Sequence, residues 1–476
     1  MLVRNPLRHL GAIAWMLFWV ASATGIYLYV LLDTSVEGAL RSVEDMGFMR
    51  ALHRYASDAL VVATLAHLAR EWIVRHAAGF RWFSWLSGVP VLVLVYASGI
   101  GGFWLAWDEL ALFSATATAE WLDWFGATAE PIARNFLAGA QVIDRLFTLF
   151  IFLHIGIPLA LLAAMWVHVQ RVSRPETWPA RSLAAGIVGA LVALSLAWPV
   201  PRHAAADLAR VPAQLALDWF FLFPHPLMYA TSPGALWALV IAVLAILCAL
   251  PWLQRTRAPL PPAVVSPPDC NGCGRCLADC PYTAIALVPH VAKRVAPRMA
   301  LVQPDLCAGC GLCAGACPSS TPFRSAQAFA SGVDLPGRAV ADVRGELMRA
   351  LAALDAPAGV PRVVVFGCAQ AIDATRLRDG ATAALGLVCA GMLPPAFVEY
   401  ALRHGADGVL IAGCAPEGCE FRFGQRWTEE RLAGAREPHL RAHVERARVR
   451  VAWTGGSEAR LREALAAFRA ALPPRA

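Results

Sequence analysis

The first 255 residues contain six stretches that are long and apolar enough to cross a lipid bilayer as helices. A helix needs about 20 apolar residues to span the hydrocarbon core, and open sheets are excluded there because their unpaired peptide groups would find no water. The whole chain has a mean hydropathy of +0.52, and 58% of its 476 residues are hydrophobic. We therefore expect an all-α six-helix transmembrane bundle, with spans at residues 11–32, 51–75, 88–107, 143–170, 181–200 and 234–253.

Arginines accumulate on one side of these spans, whereas the opposite loops are mostly acidic, with a few exceptions such as Arg41 and Arg134. Basic loops stay in the cytoplasm, so we expect a multi-pass protein of a bacterial cytoplasmic (inner) membrane with both termini inside. The same arginines explain the net charge of +7, and no nucleic-acid partner is expected. The arginines of the basic side are Arg4, Arg8, Arg70, Arg75, Arg81, Arg171, Arg174, Arg181, Arg255 and Arg257.

The second and fourth spans each carry two histidines 14 residues apart, His53 and His67, then His154 and His168. Fourteen residues make nearly four helical turns, so each pair lies on one helix face, about 21 Å apart along the axis. The two spans run in the same direction, which puts His53 level with His154 and His67 level with His168. Because intramembrane histidines are costly and usually functional, the pattern predicts two b-type haems, each held by two histidines. The alternative is four unrelated polar residues packed in a bundle.

Four glycines repeat the same interval on the first and third spans: Gly11 and Gly25, then Gly88 and Gly102. A missing side chain at each haem depth would let a flat macrocycle approach the backbone, so the glycines favour the haem interpretation. The sequence has no C-x-x-C-H motif, and covalently attached c-type haem is therefore not expected.

With these features, residues 1–255 resemble cytochrome b, the membrane subunit of quinol-oxidising Rieske/cytochrome b complexes. The resemblance implies that Arg50 and Arg70, each three residues from a histidine, contact the haem propionates. It extends to the G-F-W-L-A-W run at residues 102–107 and to the F-x-x-x-H-x-x-x-P run at residues 150–158.

The run at residues 217–220 resembles the P-E-W-Y motif of the quinol site in that family, which implies that Asp218 exchanges a quinol proton. Such a role needs a carboxylate close to the hydroxyl group that is oxidised. The chain departs from the family because the proline of this motif is absent, its glutamate is an aspartate, and Ala106 replaces the proline of the third-span motif. The alternative for Asp218 is an ordinary acidic residue of an interfacial loop.

Eight cysteines downstream form two copies of one pattern, C-x2-C-x2-C-x3-C-P. This is the bacterial ferredoxin pattern for [4Fe–4S] clusters, in which the fourth cysteine of each run ligates the other cluster. We therefore assign one cluster to Cys270, Cys273, Cys276 and Cys317. The second cluster is assigned to Cys307, Cys310, Cys313 and Cys280. Structural zinc and disulfides are the alternatives.

The C-terminal part alternates strand-like and helix-like runs, which is typical of an α/β domain with a parallel sheet. The strand-like runs are Arg362–Phe366, Leu385–Val388, Gly408–Ile411 and Val449–Trp453, and the helix-like runs include Pro395–Arg403 and Ser457–Leu472. Cys368, Cys389 and Cys414 end or follow such strands, and Cys419 comes shortly after. Because the carboxyl ends of parallel strands lie along one edge, these four thiolates can converge on a [2Fe–2S] cluster or on zinc.

Three runs near these cysteines resemble the delta subunit of methyl-viologen-reducing hydrogenase: residues 389–397, 405–408 and 413–419. The resemblance implies an iron–sulfur adaptor that carries electrons between a redox subunit and a flavoprotein of the heterodisulfide-reductase type. The sequence departs from that family at Gln425, where asparagine is expected. Cys248, in the sixth span, is expected to be a packing residue.

The chain thus divides into four expected segments. Residues 1–258 form a cytochrome b-like di-haem membrane domain, and residues 259–325 form a small α+β ferredoxin-like domain that begins with a proline-rich stretch. Residues 326–358 form a helical linker, and residues 359–476 form an α/β iron–sulfur domain like the hydrogenase delta subunit.

Together these segments predict a membrane electron-transfer subunit of a quinone-linked oxidoreductase, which joins a cytoplasmic flavoprotein or dehydrogenase to the quinone pool. The sequence has no dinucleotide-binding fingerprint and no recognisable hydrolytic triad, so substrate chemistry other than that of quinone belongs to a partner subunit. Two alternatives stay open, an electron-transfer anchor whose quinone binds to another subunit and a membrane redox sensor. A homodimer is one option for the assembly.

Overall fold

The computed structural model describes residues 6–74, 79–127, 130–136, 144–170, 174–210, 212–253, 260–290, 296–323, 330–416 and 418–473. The chain divides into two compact units, one of Met1–Gln170 with Pro175–Arg257 and the other of Arg171–Arg174 with Ala258–Ala476. The predicted segment boundaries at 258–259 and 325–326 lie outside the described residues, as do these arginines of the predicted basic side: Arg4, Arg75, Arg171, Arg255 and Arg257.

The first unit is built from helices, as its hydropathy predicts. Numbered α1 to α10 in chain order, they are Leu10–Leu31, Val36–Asp45, Gly47–Ile73, Trp82–Phe103, Glu109–Asp123, Asp144–Val169, Arg181–Ala197, Trp219–Leu222, Pro224–Ala230 and Pro233–Leu253. Helix α1 packs along α3, and α4 packs along α6. Each helix that carries two of the spaced glycines is therefore paired with a helix that carries two of the spaced histidines.

Four helices of the described residues are long and apolar enough to cross a membrane, at Leu10–Leu31, Trp82–Ala106, Phe147–Val169 and Pro233–Leu253. The helical membrane character of this region is confirmed for four of the six expected spans. The other two, α3 and α7, do not meet the criteria of length and hydropathy. Helix α3 has 27 residues, yet it includes charged side chains such as Arg54 and Asp58, which lower its hydropathy. Helix α7 has 17 residues, shorter than the other four.

Helices α2 and α5 lie where hydropathy alone predicted connecting loops. Each begins at a side chain that accepts a hydrogen bond from the first turn: Ser35 Oγ from Gly38 N at 3.1 Å, and Asp108 Oδ1 from Ala111 N at 2.8 Å. Such caps satisfy amide groups that have no partner within the helix. On α5, alanines at positions 111, 115 and 119 form a buried stripe. Alanine is only weakly apolar, so this stripe produces no hydropathy signal comparable to a span.

The ferredoxin-like part of the second unit has two small antiparallel sheets and two short helices. Strand β1 (Val264–Val265) pairs with β4 (Val333–Asp334), and β2 (Ile285–Pro289) pairs with β3 (Arg298–Val302). Helices α11 and α12 are Arg275–Asp279 and Leu312–Ala316. Each begins after a glycine with positive φ, Gly274 at 75° and Gly311 at 76°, a conformation that disfavours side chains. The two cysteine runs therefore fold alike.

The C-terminal part contains a four-stranded, fully parallel sheet in the order β6-β5-β7-β8, which confirms the predicted α/β class. The strands β5 to β8 are Val363–Cys368, Thr382–Leu387, Gly408–Ala412 and Val449–Ala452. The helices α13 to α16 are Val340–Ala352, Ala396–Arg403, Gly424–Ala433 and Glu458–Ala471. Strands β5 and β7 are buried along their whole length, since they lie inside the sheet and are covered on both faces.

Helix α13, which falls in the segment predicted as a linker, is part of a packed core. Its apolar stripe of Val343, Leu347 and Leu351 belongs to the same buried cluster as the ferredoxin cysteines and the sheet. This cluster is continuous from Ala263 to Val444, so the ferredoxin-like part and the sheet share one hydrophobic core.

Candidate functional site

The imidazole rings of His53 on α3 and His154 on α6 face each other inside the first unit. Their ring centroids are 6.2 Å apart, and the ring planes are nearly perpendicular, at 78°. A metal ion between two imidazole nitrogens would lie about 2 Å from each, with each ring centre about 1 Å further out, so the centroids would be about 6 Å apart. The observed spacing therefore fits two histidines that would together hold one iron ion, as in a haem site.

Hydrogen bonds fix which nitrogen of these rings is free for a metal. Nδ1 of His53 lies 2.9 Å from the carbonyl oxygen of Ala21, and Nδ1 of His154 lies 3.1 Å from the carbonyl oxygen of Ser98. A carbonyl oxygen only accepts, so Nδ1 donates and carries the proton in both rings. Nε2 of each neutral ring is then an acceptor, which is the form that binds iron.

His67 and His168 form the second pair, and they are close enough to interact electrostatically. Nδ1 of His168 lies 2.9 Å from Ser87 Oγ, whose hydroxyl donates to the carbonyl oxygen of Ser84 at 3.2 Å, so Oγ accepts from Nδ1. Nδ1 of His67 lies 3.9 Å from Glu71 Oε1. His168 thus presents Nδ1 to an acceptor, as both rings of the first pair do, whereas the separation between His67 and Glu71 is too long for a hydrogen bond.

Each of the four spaced glycines lies directly against one of the histidines. A Cβ atom at Gly25 or Gly102 would be 3.0 Å from Cε1 of His53 or His154, and at Gly11 or Gly88 it would be 3.4 Å from Cε1 of His67 or His168. A side chain at Gly25 or Gly102 would therefore push on the imidazole itself. The glycines therefore make room for the imidazole rings of the histidines. The sequence, in contrast, predicts that they make room for the haem macrocycle.

Arg50 and Arg70, the predicted propionate contacts, each lie beside a carboxylate. Arg50 Nη2 is 3.9 Å from Asp108 Oδ2, and Arg70 contacts Glu71, its neighbour in sequence. The arginines are mostly buried, and neither acidic partner was identified from the sequence. Asp108 also caps α5, so its position is fixed independently of the arginine.

Asp218 lies at the start of α8, and both of its carboxylate oxygens have partners. Oδ1 accepts hydrogen bonds from the backbone N–H groups of Phe220 at 3.0 Å and Phe221 at 3.1 Å. Oδ2 contacts the guanidinium of Arg54, which also donates to Asp58 Oδ1 at 2.9 Å. Arg54 therefore joins two carboxylates, and sequence analysis missed it because Asp218 lies 164 positions further along the chain.

The guanidinium of Arg54 is held between two aromatic rings. It lies 4.7 Å from the ring centroid of Phe103 and 5.2 Å from that of Phe221. Such contacts stabilise a cation away from bulk water, which helps to keep a charged group on an otherwise apolar helix bundle.

The eight ferredoxin-type cysteines line two similar cavities. The first cavity is lined by Cys270, Cys273, Cys276 and Cys317. The second is lined by Cys280, Cys307, Cys310 and Cys313. Each cavity thus combines three cysteines of one run with the fourth cysteine of the other run, which is the grouping that the ferredoxin pattern predicts.

The chemistry of these cavities fits cluster ligands. Backbone N–H groups point at three of the sulfurs, with Ala300 N 3.5 Å from Cys270 Sγ, Ala284 N 3.3 Å from Cys280 Sγ and Ala263 N 3.4 Å from Cys307 Sγ. Such bonds stabilise negative charge on sulfur.

Burial raises the pKa of Cys276 to about 12, and it also raises the pKa of Cys310 and Cys313. Thiolates at these positions need a cationic partner, which iron supplies.

The four C-terminal cysteines meet at the carboxyl edge of the parallel sheet. Cys368 ends β5, Cys389 and Cys414 follow β6 and β7, and Cys419 lies in the loop before α15. Their thiols form a closed ring of contacts, in which Cys368 and Cys419 each interact with both Cys389 and Cys414. Hydrogen bonds from Cys389 and Cys414 lower the pKa of Cys419, whereas the pKa values of Cys368, Cys389 and Cys414 are raised.

Residues near this ring hold its loops together. A Cβ atom at Gly424 would lie 2.3 Å from Cys389 Sγ and 3.1 Å from Cys419 Sγ, so only glycine fits there. Gln425 Nε2 donates to the carbonyl oxygens of Cys414 at 2.5 Å and Ala415 at 3.0 Å. The glutamine that departs from the family pattern thus supports a cysteine loop.

Thiolates of a cluster bind different irons and need not converge on one point. Among the residues that the structure describes, no three histidine, cysteine, aspartate or glutamate side chains converge closely enough to hold a single metal ion. Cys248 lies on α10, partly buried, in the other unit.

Comparisons with protein families match the chain in three consecutive regions. A family described as cytochrome b/b6/petB matches residues 5–174, which include all four spaced histidines. A 4Fe-4S dicluster domain matches residues 269–321, which include the eight ferredoxin-type cysteines. The delta subunit of methyl-viologen-reducing hydrogenase matches residues 363–472, which include the last four cysteines. The three resemblances that the sequence predicts are therefore confirmed.

Individual relatives match mainly the N-terminal half. Cytochrome b of Cyanidium caldarium is 24% identical over 285 residues, which cover 52% of this chain and 72% of that protein. Cytochrome b6 of Porphyra purpurea is 27% identical over 173 residues, which cover 35% of this chain and 80% of that protein. A solved structure described as a hyperthermophilic respiratory complex III covers 54% of this chain and 77% of its own, with 18% identity and a TM-score of 0.43.

Proposed function

We propose that this chain, which joins segments like cytochrome b, a 4Fe-4S dicluster domain and a hydrogenase delta subunit, is the membrane electron-transfer subunit of a quinone-linked oxidoreductase. It connects the quinone pool to a cytoplasmic redox partner, either a flavoprotein of the heterodisulfide-reductase type or a dehydrogenase. That partner carries out the remaining substrate chemistry. The protein resides in a bacterial cytoplasmic membrane, with its termini and cysteine-rich segments on the cytoplasmic side.

One observation carries this proposal: every redox-type side chain singled out in the sequence has its expected partners close by. His53 and His154 face each other between α3 and α6, and His67 and His168 on the same two helices are close enough to interact electrostatically. The cysteines gather into two cavities and one ring. A sensor needs one such centre, whereas a chain with this many is suited to carry electrons over a distance.

In this proposal His53 and His154 hold one haem b, and His67 and His168 hold a second. The cysteines of the two cavities hold two [4Fe–4S] clusters, and the ring of Cys368, Cys389, Cys414 and Cys419 holds a [2Fe–2S] cluster, with zinc as the alternative. When bound, these groups accept and release single electrons. The chain itself orients the imidazoles of His53, His154 and His168 through Nδ1 and keeps most of the thiolates away from water.

The proposed order of transfer runs from the partner to the C-terminal cysteine ring, then to the two ferredoxin-type centres, and then to the membrane histidines. His67 and His168 come before His53 and His154, because the arginine rule puts His67 and His168 nearer the cytoplasm. Quinone takes two electrons and two protons to become quinol, so each turnover uses the path twice. The path also permits flow in the opposite direction, from quinol to the partner.

Asp218 is the proposed proton-transfer group for quinone. Its partner Arg54 supports a second candidate function, because a guanidinium and two backbone N–H groups already bind its two carboxylate oxygens and compete with quinol for them. If these contacts persist, the chain is an electron-transfer anchor and quinone binds to another subunit.

Reduction of the isolated chain by quinol separates the two functions. We would purify the full chain anaerobically, reconstitute it in liposomes and add a soluble quinol analogue, following haem absorbance and the electron paramagnetic resonance of the clusters. The proposed function predicts haem reduction that a quinone-site inhibitor abolishes. Haems that dithionite reduces but quinol does not would establish the anchor function instead.

A further inference from the structure

Arg431, on α15, is buried where three segments that carry predicted cluster ligands meet. Its side chain is 1% exposed. Nη1 donates to the carbonyl oxygen of Gly391 at 2.8 Å, and Nη2 donates to Asp279 Oδ2 at 2.5 Å. Nη2 also lies 3.4 Å from the carbonyl oxygen of Leu312. One guanidinium thus binds three segments that are far apart in the sequence.

Each of these three partners is close in sequence to a ligand cysteine. Asp279 immediately precedes Cys280, and Leu312 immediately precedes Cys313. Gly391 follows Cys389 by two positions. Arg431 therefore links two ligands of the second ferredoxin-type cavity with one ligand of the C-terminal ring.

Asp279 is also buried and is shared with a second arginine. Arg436 Nη1 lies 2.5 Å from Asp279 Oδ1, and Trp427 Nε1 donates to the backbone carbonyl oxygen of Asp279 at 3.1 Å. The guanidinium of Arg436 lies 3.4 Å from the ring centroid of Trp427. These contacts hold the carboxylate between two cations, where each charge interacts strongly because little water is present.

The loops that Arg431 joins are in close contact. A Cβ atom at Gly315 would lie 2.2 Å from the carbonyl oxygen of Gly391 and 2.7 Å from Arg431 Nη1. Gly311 lines the second cavity, and a Cβ atom there would lie 3.0 Å from Cγ of Met392, in the loop after Cys389. The first and second cavities are also neighbours, since each takes one cysteine from the run that supplies three to the other. The second cavity therefore lies between the other two centres.

We propose that Arg431 is a positioning residue for electron transfer, which fixes the C-terminal cysteine ring against the Cys280/Cys307/Cys310/Cys313 centre and makes that centre its direct redox neighbour. In the step concerned, one electron leaves one centre and reaches the other, and no bond is formed or broken. The Cys270/Cys273/Cys276/Cys317 centre exchanges electrons with the ring only through the middle one. This inference rests on the proposed function and adds the order of its cysteine-bound centres.

A pair of variants with opposite changes in charge tests the role of Arg431. Arg431→Gln removes a positive charge near both centres, so their reduced forms are less stabilised and their midpoint potentials shift to more negative values. Asp279→Asn removes a negative charge from the same contact and shifts the potentials to more positive values. Arg462→Gln is the matched control, because Arg462 lies on α16, half exposed, and pairs with Glu458.

The measurement is a potentiometric titration of the anaerobically purified full chain, followed by electron paramagnetic resonance, with iron and sulfide analysis of each sample. Wild-type protein should show spin–spin broadening between the ring and one four-iron centre, and Arg431→Lys should keep wild-type potentials but weaken this broadening. Should Arg431→Gln lose iron, Arg431→Lys and Asp279→Asn still test the inference.

Shifts of the same sign in Arg431→Gln and Asp279→Asn, or unchanged potentials in iron-loaded Asp279→Asn, would overturn the inference. Broadening that disappears when the Cys270 centre is removed by Cys273→Ala would overturn the proposed order. A wild-type chain without iron at these sites would instead contradict the proposed function.

Discussion

The imidazole of His53 packs directly against Gly25, where a Cβ atom would lie only 3.0 Å from Cε1 of the ring. We expect Gly25→Val to displace His53 and to remove the haem held by His53 and His154, while the haem at the other pair stays. The haem content should fall by half in a pyridine haemochrome assay. Gly186→Val on α7 is the matched control, since a Cβ atom there meets no described atom within 4 Å. Equal haem contents in the two variants would contradict this role for Gly25.

The second histidine pair should lose its haem independently of the first. We expect His67→Ala and His168→Ala each to remove the inner haem, held by His67 and His168 nearer the cytoplasm. The outer haem, held by His53 and His154, should stay, because each haem needs two ligands from its own pair. The wild-type chain should contain two low-spin b haems. One haem or none in the intact chain would refute the assignment of both pairs.

The hydrogen bond from His168 Nδ1 to Ser87 Oγ, with a separation of 2.9 Å, should tune the inner haem. An acceptor on Nδ1 makes the imidazole more basic and so favours the oxidised iron. Ser87→Ala should therefore shift the midpoint potential of the inner haem to a more positive value and leave the outer haem unchanged. Ser195→Ala, which removes a hydroxyl that donates to the carbonyl oxygen of Leu191 on α7, is the control. A shift of both haems would indicate a general structural effect.

Metal analysis should distinguish a [2Fe–2S] cluster from zinc at the C-terminal ring. Two four-iron clusters and one two-iron cluster give about ten non-haem irons per chain. Cys419→Ser should remove about two of them and leave the other eight. Cys248→Ala, outside all three cysteine groups, should leave the iron content unchanged. Zinc in the wild-type chain together with only about eight irons would show that the ring is a zinc site.

Local patterns in the sequence predicted most of the architecture. The strands β5 and β7 stand out as runs of apolar residues between turns, and the structure has them within two residues of the predicted bounds. The helix α5 was missed because its buried face consists of alanines, and its start depends on the single cap of Asp108. Hydropathy detects total apolarity and is insensitive to a narrow stripe of small residues.

The candidate sites were predictable where ligands follow a fixed spacing, and were not predictable where partners come from distant parts of the chain. The interval of 14 residues singles out the histidines and the glycines that pack against them. Arg431 carries no comparable signal, because its partner Asp279 lies 152 positions earlier. For the same reason the sequence identified Asp218 but not Arg54, which occupies one of its oxygens.

The last prediction concerns Asp218 and the membrane potential. If quinone reacts beside Asp218 on the outer side, electrons cross most of the bilayer between the cytoplasmic clusters and quinone. Because the potential is positive outside, outward electron flow is favoured by about 2.3 kcal/mol per charge per 100 mV. Outward flow with proton uptake from outside would then consume the potential, and inward flow from quinol would proceed against it.

Asp218→Asn keeps an oxygen that can cap α8 but removes the negative charge and the proton-accepting group. Loss of a general acid–base group typically slows a reaction by a factor of about 10² or more. We therefore expect quinone turnover in liposomes to fall by about that factor while both haems stay bound and reducible by dithionite. The matched variant Asp58→Asn breaks the other contact of Arg54 and should have a smaller effect, since Arg54 then still binds Asp218. Wild-type turnover in Asp218→Asn would instead place the quinone reaction beside the inner pair, His67 and His168. Turnover that is insensitive to an imposed membrane potential would lead to the same conclusion, since electron transfer to quinone at that depth is electroneutral.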